Sequence, residues 1–231
     1  MKRYGKELLI AFCALWSVMV CGQQKNESVE NIISKASQIF KTKDYLTYNV
    51  KYNIFSDYTT TKATETYTGF LLKKDNIFYY KIKNTEFVGF KDHSVKISND
   101  EKALLIGKKG QEEFPLDLST YLKAFKSRLI KSDNTSWTCE LIPDKISQIM
   151  FSKVIMVINK KDYSVARQVL YFLNTSPDEK AGRLEISFTT RTKDLVKDKF
   201  LIEQSNYFTK SGNTIKTASR FKEYKLYKDQ N

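Results

Sequence analysis

Apolar and polar positions alternate most clearly across residues 64–84, TETYTGFLLKKDNIFYYKIKN, and that stretch predicts a β-hairpin. In its first arm Thr66, Thr68, Phe70 and Leu72 fall on one face, and Tyr67, Gly69, Leu71 and Lys73 on the other. After a polar Lys74-Asp75-Asn76 turn, Phe78, Tyr80 and Ile82 alternate with Ile77, Tyr79, Lys81 and Lys83. Successive strand side chains point to opposite faces, so each arm offers one greasy face and one mixed face. Upstream, Leu46, Tyr48, Val50, Tyr52 and Ile54 share one face of a further predicted strand, with Thr47, Asn49, Lys51 and Asn53 on the other. Such alternation marks an antiparallel strand with one buried and one wet face.

Two stretches follow a helical period instead. Over residues 26–42, Val29, Ile32, Ile33, Ala36 and Phe40 make an apolar stripe, with Asn26 or Ser28 available as N-cap. After Pro115, Asp117 is a second N-cap candidate ahead of Leu118, Tyr121, Leu122, Phe125 and Leu129, opposed by Lys123, Lys126 and Arg128. Short strands are predicted at 87–90, 95–97, 103–106, 136–142, 153–159, 165–173 and 184–188, then a hairpin at Ser211-Gly212-Asn213 and a last strand near 221–227. Gly69 and Gly89 lie inside strands, where glycine often marks a bend or bulge. There is no βαβ rhythm, repeat or linker. The expected fold is α+β and mainly antiparallel β: a curved sheet or incomplete β-barrel, with two amphipathic helices packed on or across its concave side.

The first 22 residues change the setting. Lys2, Arg3 and Lys6 precede an almost unbroken apolar stretch from Leu8 to Val20, and Val20-Cys21-Gly22 suits a cleavage site. The apolar core is too short for a spanning helix and reads as a secretory signal peptide cut after Gly22. The rival reading is a lipoprotein signal acylated at Cys21, against which stands Val20 where Gly, Ala or Ser is usual. Residues 23–231 are then expected to form one domain outside the cytoplasm, in the periplasm. Cleavage removes three basic residues and one acidic residue, so a net charge of +13 becomes +11. It also leaves Cys139 as the lone cysteine, unable to make an internal disulfide. The lysines are scattered rather than blocked, the pattern of a solvated surface. Their sharper reading is attraction to anionic lipid head groups, at roughly 1 kcal/mol per well-placed residue. Export separates the chain from nucleic acid.

Chemistry-bearing motifs are few. His93 is the one histidine, which excludes a multi-histidine metal site. Asp92-His93-Ser94 holds triad letters as sequence neighbours, whereas a triad converges from separate positions. Cys139 shares an apolar face with Trp137 and Leu141, the setting of an inert thiol. Paired carboxylates need no local motif, and nothing singles out a pair. No catalytic residue, metal or cofactor is assigned. The 29 tyrosines and phenylalanines concentrate on strand faces, more than two helices can cover, which suggests sheet closure or an apolar groove.

The leader, the opening helix, the strand YLTYNVKYNIF and the segment TGFLLKKDNIFYYKI together resemble the periplasmic lipoprotein-carrier superfamily, LolA/LolB-like. Gly69, Leu71, Lys74, Phe78 and Tyr80 match its hairpin pattern, and VMVINKKDYSVARQVLYFLN with GRLEISF is similar to its later strands. The resemblance implies an incomplete barrel whose concave face holds acyl chains. Leu46, Tyr48, Val50, Tyr52, Phe70, Leu72, Phe78, Tyr80 and Ile82 would line that groove, and Leu118, Tyr121, Leu122 and Phe125 would belong to a lid helix. Each position equally describes a plain core. Two departures stand out: the early strand offers Lys51 on its polar face where carriers have an arginine that latches the lid, and the C-terminus runs longer. The implied function is non-catalytic binding or carriage of lipoprotein acyl chains or lipids by a monomer. Its partners would be a lipid or lipid-modified protein, with transient contact to an anionic membrane or to envelope proteins. The alternative is an envelope interaction or sensing module whose groove is self-filled; a hydrolase comes third.

Overall fold

The computed structural model describes residues 27–41, 44–108, 123–145, 150–174, 180–191, 198–212 and 214–228. Among them the one α-helix, α1 (Val29–Phe40), begins at Ser28, whose extended backbone lets Oγ accept from the Asn31 N–H at 3.3 Å. That satisfies one of the amides a helix start leaves open. Ile32, Ile33, Ala36 and Phe40, the stripe read from the sequence, are buried. Glu27 ties the helix start to a distant turn: its carboxylate accepts from Asn31 and Lys35, and from the Tyr163 hydroxyl at 2.8 Å.

Fourteen strands follow: β1 (Leu46–Phe55), β2 (Glu65–Lys74), β3 (Ile77–Ile82), β4 (Thr85–Gly89), β5 (His93–Ser98), β6 (Ala103–Lys108), β7 (Phe125–Ser132), β8 (Ser136–Pro143), β9 (Phe151–Asn159), β10 (Val165–Phe172), β11 (Arg183–Thr190), β12 (Phe208–Ser211), β13 (Thr214–Thr217) and β14 (Lys225–Lys228). Twelve make one sheet in the order β14-β6-β5-β4-β3-β2-β1-β11-β10-β9-β8-β7, while β12 and β13 pair separately. Every ladder is antiparallel except β14 on β6. The order starts and ends on different strands, so the sheet is open. Hairpin follows hairpin out from the centre, where β1 and β11 join the two halves.

Two cores form, one on each face. On the first, α1 lies over Tyr48, Val50, Leu71, Cys139, Leu141, Val154, Met156, Ile158 and Leu170. On the other, Leu72, Tyr79, Val88, Val95, Ile97, Leu104 and Ile106 of β2 to β6 are covered by the C-terminal segment, through Ile202, Tyr207, Phe208 and Phe221. That segment supplies short 3-10 turns at Lys199–Ile202, Gln204–Asn206 and Ser219–Phe221, and then β14. The C-terminal extension noted in the sequence therefore finishes the fold: it seals the far face of one half-sheet and zips onto its edge.

Two expectations are corrected. The second amphipathic helix does not extend through Phe125 and Leu129, because both lie on strand β7. Residues four apart share a face at a helical period and also at a period of two, so that pair could not separate the two structures. Leu118, Tyr121 and Leu122 lie outside the described residues. Gly69 and Gly89 mark no bulge, since the ladders run through both in unbroken register. Glycine is there for room. A Cβ on Gly89 would stand 2.3 Å from the Phe78 ring that lies across it, and one on Gly69 would meet the Lys81 carbonyl oxygen at 2.6 Å. The register shifts fall elsewhere, between Leu129 and Lys131 and at the two ends of β10.

Candidate functional site

Residues directly opposite across a ladder share a face, so the register sorts the sequence-predicted groove residues. One row runs Thr190, Tyr48, Leu71, Tyr80, Phe87, Lys96, Leu105, Tyr227 from β11 to β14. The next runs Phe188, Val50, Gly69, Ile82, Thr85, Ser98, Ala103, Lys225. Tyr52 pairs with Tyr67 and Ile186, and Leu46 with Lys73, which pairs with Phe78. Leu46, Tyr48, Val50, Tyr52, Phe78, Tyr80 and Ile82 thus share the face that carries α1. Phe70 and Leu72 do not.

Those two stand on the opposite face. Leu72 is fully buried and pairs with Tyr79 beneath the C-terminal segment, and Phe70 packs beside it with the Arg191 guanidinium 4.6 Å from its ring. The physical reason is the pairing register, Leu71 to Tyr80, which sets odd positions of β2 beside even positions of β3. Alternation within a strand cannot supply that offset. Phe125, assigned to a lid, is instead buried at the start of β7 in the core that α1 covers.

From Tyr48 outward to Tyr227, burial falls along the first row. Tyr48 and Leu71 are 4% and 3% exposed beneath the helix, Tyr80 and Phe87 are half-buried, and Leu105 and Tyr227 are 41% and 44% exposed at the far edge. Tyr80 and Phe87 stack at 4.5 Å between centroids, and Phe78 lies parallel to Tyr80 at 6.3 Å. Stacked or offset pairs add roughly 0.5–1.5 kcal/mol to their burial and fix ring orientation. Burial pushes the Tyr52 hydroxyl up to about 12, the behaviour of a phenol in apolar surroundings. The result is an aromatic floor that begins as core and ends in water. Tyr67, Phe87, Leu105 and Tyr227 belong to it and were missed from sequence. Tyr67 sits between Thr66 and Thr68, Leu105 lies in the apolar run Leu104-Leu105-Ile106, and only the pairing brings them to this face.

The remaining chemistry is structural. Burial raises the Cys139 thiol to about 11. Glu140 is buried on the opposite face and answered by Arg128 and Lys153. Arg183, also buried, donates to the carbonyls of Asp57 and Thr60 at 2.8 Å and lies over the Phe55 ring, fixing the loop after β1. Among the described residues no three of His, Cys, Asp and Glu gather as a metal site, and no helix is long and apolar enough to cross a membrane.

The fold is that of a broad, open, mainly antiparallel sheet carrying a helix on one face. No protein-family model and no curated protein matches the sequence. Solved structures do match. An uncharacterised conserved protein from Thermus thermophilus is 11% identical at a TM-score of 0.47, covering 88% of this chain and 100% of its own. A LolA superfamily protein from Nitrosomonas europaea is 12% identical at 0.34, covering 73% and 95%. MucB, solved in complex with MucA(peri), is 8% identical at 0.42, covering 83% and 62%. A protein of the superfamily that the sequence resembles is thus among the matched structures.

Proposed function

We propose that this chain is an exported, non-catalytic binder of acyl chains, of a lipid or a lipid-modified protein, and that the α1 face of β1 to β4 receives them. In this reading the leader at 1–22 directs residues 23–231 to the envelope as one monomeric domain, and the helix-bearing face is the inner side of a LolA-like half-barrel. The observation that carries it is the aromatic floor: Tyr52, Tyr67, Tyr80, Ile82 and Phe87 stay half-buried on a face where their neighbours Tyr48, Val50 and Leu71 are closed over. Apolar surface left half-open beside a packed core suits an apolar guest. An acyl chain of about fifteen methylenes yields on the order of 12 kcal/mol gross when buried. No polar catalytic group is needed, and release requires a competing apolar site in a partner or membrane.

The test is solvent extraction of protein purified from the envelope, followed by mass spectrometry. Stoichiometric fatty-acyl material supports the reading. A clean protein that also fails to take up a fluorescent fatty acid overturns it. A second reading has one observation in its favour: α1 itself fills the middle of the face, with Ile32, Ile33 and Ala36 wholly buried there. A self-filled interaction module would be that clean protein.

A further inference from the structure

The helix face of β3 to β6 and β14 carries no carboxylate. Its residues are Phe78, Tyr80 and Ile82; Thr85, Phe87 and Gly89; Ser94, Lys96 and Ser98; Ala103, Leu105 and Gly107; and Lys225 and Tyr227. Its charges are all ammoniums, and they rest on rings. The Lys96 Nζ lies 5.5 Å from the Phe87 centroid, Lys225 lies 5.0 Å from that of Tyr227, and Lys83, from the β3–β4 turn, lies 3.7 Å from that of Tyr67. Lys35, Lys81, Lys102, Lys126, Lys131 and Lys153 each reach a carboxylate. Among the described residues Lys83, Lys96 and Lys225 do not. An ammonium held against a π face keeps donors turned outward, so an incoming anionic oxygen need displace no carboxylate.

Position matters as much as sign. In the row from Leu71 to Tyr80, Phe87 and Lys96, the first charge appears three strands out from buried core. At a usual spacing of about 4.8 Å that is roughly 14 Å. Hydrophobic surface bounded on one side by uncompensated positive charge is complementary to an amphiphile with an acidic end.

Resting on the acyl-binding reading above, we infer that the guest is an anionic amphiphile, its phosphate or carboxylate received by Lys96 and its tail laid over Phe87 and Tyr80 toward α1. The occupant is a single amphiphile and not a bilayer surface.

Calorimetric titration with decyl phosphate and decyl maltoside, both below micelle formation, tests this. A well-placed lysine contributes roughly five-fold to the affinity for an anion, so the phosphate should bind about five-fold tighter than the maltoside. The preference should fall to within about two-fold in Lys96→Gln. It should persist in Lys51→Gln, which removes the same charge from an exposed position outside this face. Equal binding of the two amphiphiles by the unaltered protein overturns the head-group inference and leaves the acyl-binding reading standing. Failure of both to bind overturns both. Inorganic phosphate binding as tightly as decyl phosphate would make this a plain anion site. Sedimentation with anionic vesicles, without uptake of the monomeric amphiphile, would make it a membrane contact. Either result refutes the proposal.

Discussion

Leu72→Asp and Tyr80→Asp place the same new carboxylate on adjacent strands one register step apart, but on opposite faces. Leu72 is wholly buried under the C-terminal segment. Losing its side chain forfeits about 2–3 kcal/mol of burial, and a carboxylate among Tyr79, Val88 and Leu104 adds several more. A total of about 5 kcal/mol or more is comparable to the whole stability of an ordinary domain. Tyr80 is half-buried, so its replacement keeps the charge near water. It forfeits the stack on Phe87, about 1 kcal/mol, and part of its burial, for a sum of about 1–2 kcal/mol. With a urea slope of about 2 kcal/mol per molar, Tyr80→Asp should lower the unfolding midpoint by roughly 0.5–1 M, whereas Leu72→Asp should give no folded baseline. Near-ultraviolet circular dichroism across a urea series reads both. Equal losses, or a folded Leu72→Asp beside an unfolded Tyr80→Asp, would refute the register and with it the assignment of the aromatic floor.

Other outcomes follow from the packing and the charges. Phe208→Ala should cost about 3–5 kcal/mol in chemical denaturation, since Phe208 is fully buried against Phe90 and His93 at 6.2 and 5.6 Å. Gly89→Val should cost about 1–3 kcal/mol by calorimetry, and the added Phe78→Ala should lower that penalty, because the clash is with the Phe78 ring. The hydrogen bond from Lys35 above all, with that from Tyr163, holds the Glu27 carboxyl below the usual carboxylate range. A depressed acid lends stability that is present above its unfolded pKa of about 4.3 and lost as pH falls through the folded value. The melting difference between the unaltered protein and Glu27→Gln should therefore shrink below about pH 4.3, and a difference constant with pH would contradict it. Cys139 should resist alkylation at pH 8 in the folded state and react promptly in denaturant.

What the sequence made legible was each element taken alone. The faces of β1 and β2, the Ser28 cap and the α1 stripe follow from periodicity, because side-chain direction repeats every two or 3.6 residues whatever the partner. What it withheld was how elements face one another. Leu71 and Leu72 are equally apolar, and only the offset to Tyr80 decides which faces the helix. Lys96 reads as one more solvated lysine until Phe87 is found opposite it. Phe125 and Leu129 satisfied two periods at once, so the strand there was hidden by a spacing both structures allow. The LolA-like resemblance carried the expectation of a one-faced groove, and register removed Phe70 and Leu72 from it.

The parallel pairing of β14 on β6 ties the completion of one half-sheet to a segment made more than a hundred residues later. Residues 46–108 emerge early and can form their hairpins, yet the outer amides and carbonyls of β6 stay bare until Lys225–Lys228 arrive. A prematurely stopped polypeptide therefore advertises its own incompleteness: it offers a sticky, unpaired border to any neighbouring strand. Quality control that senses such borders would distinguish copies that have made β14 from copies that have not.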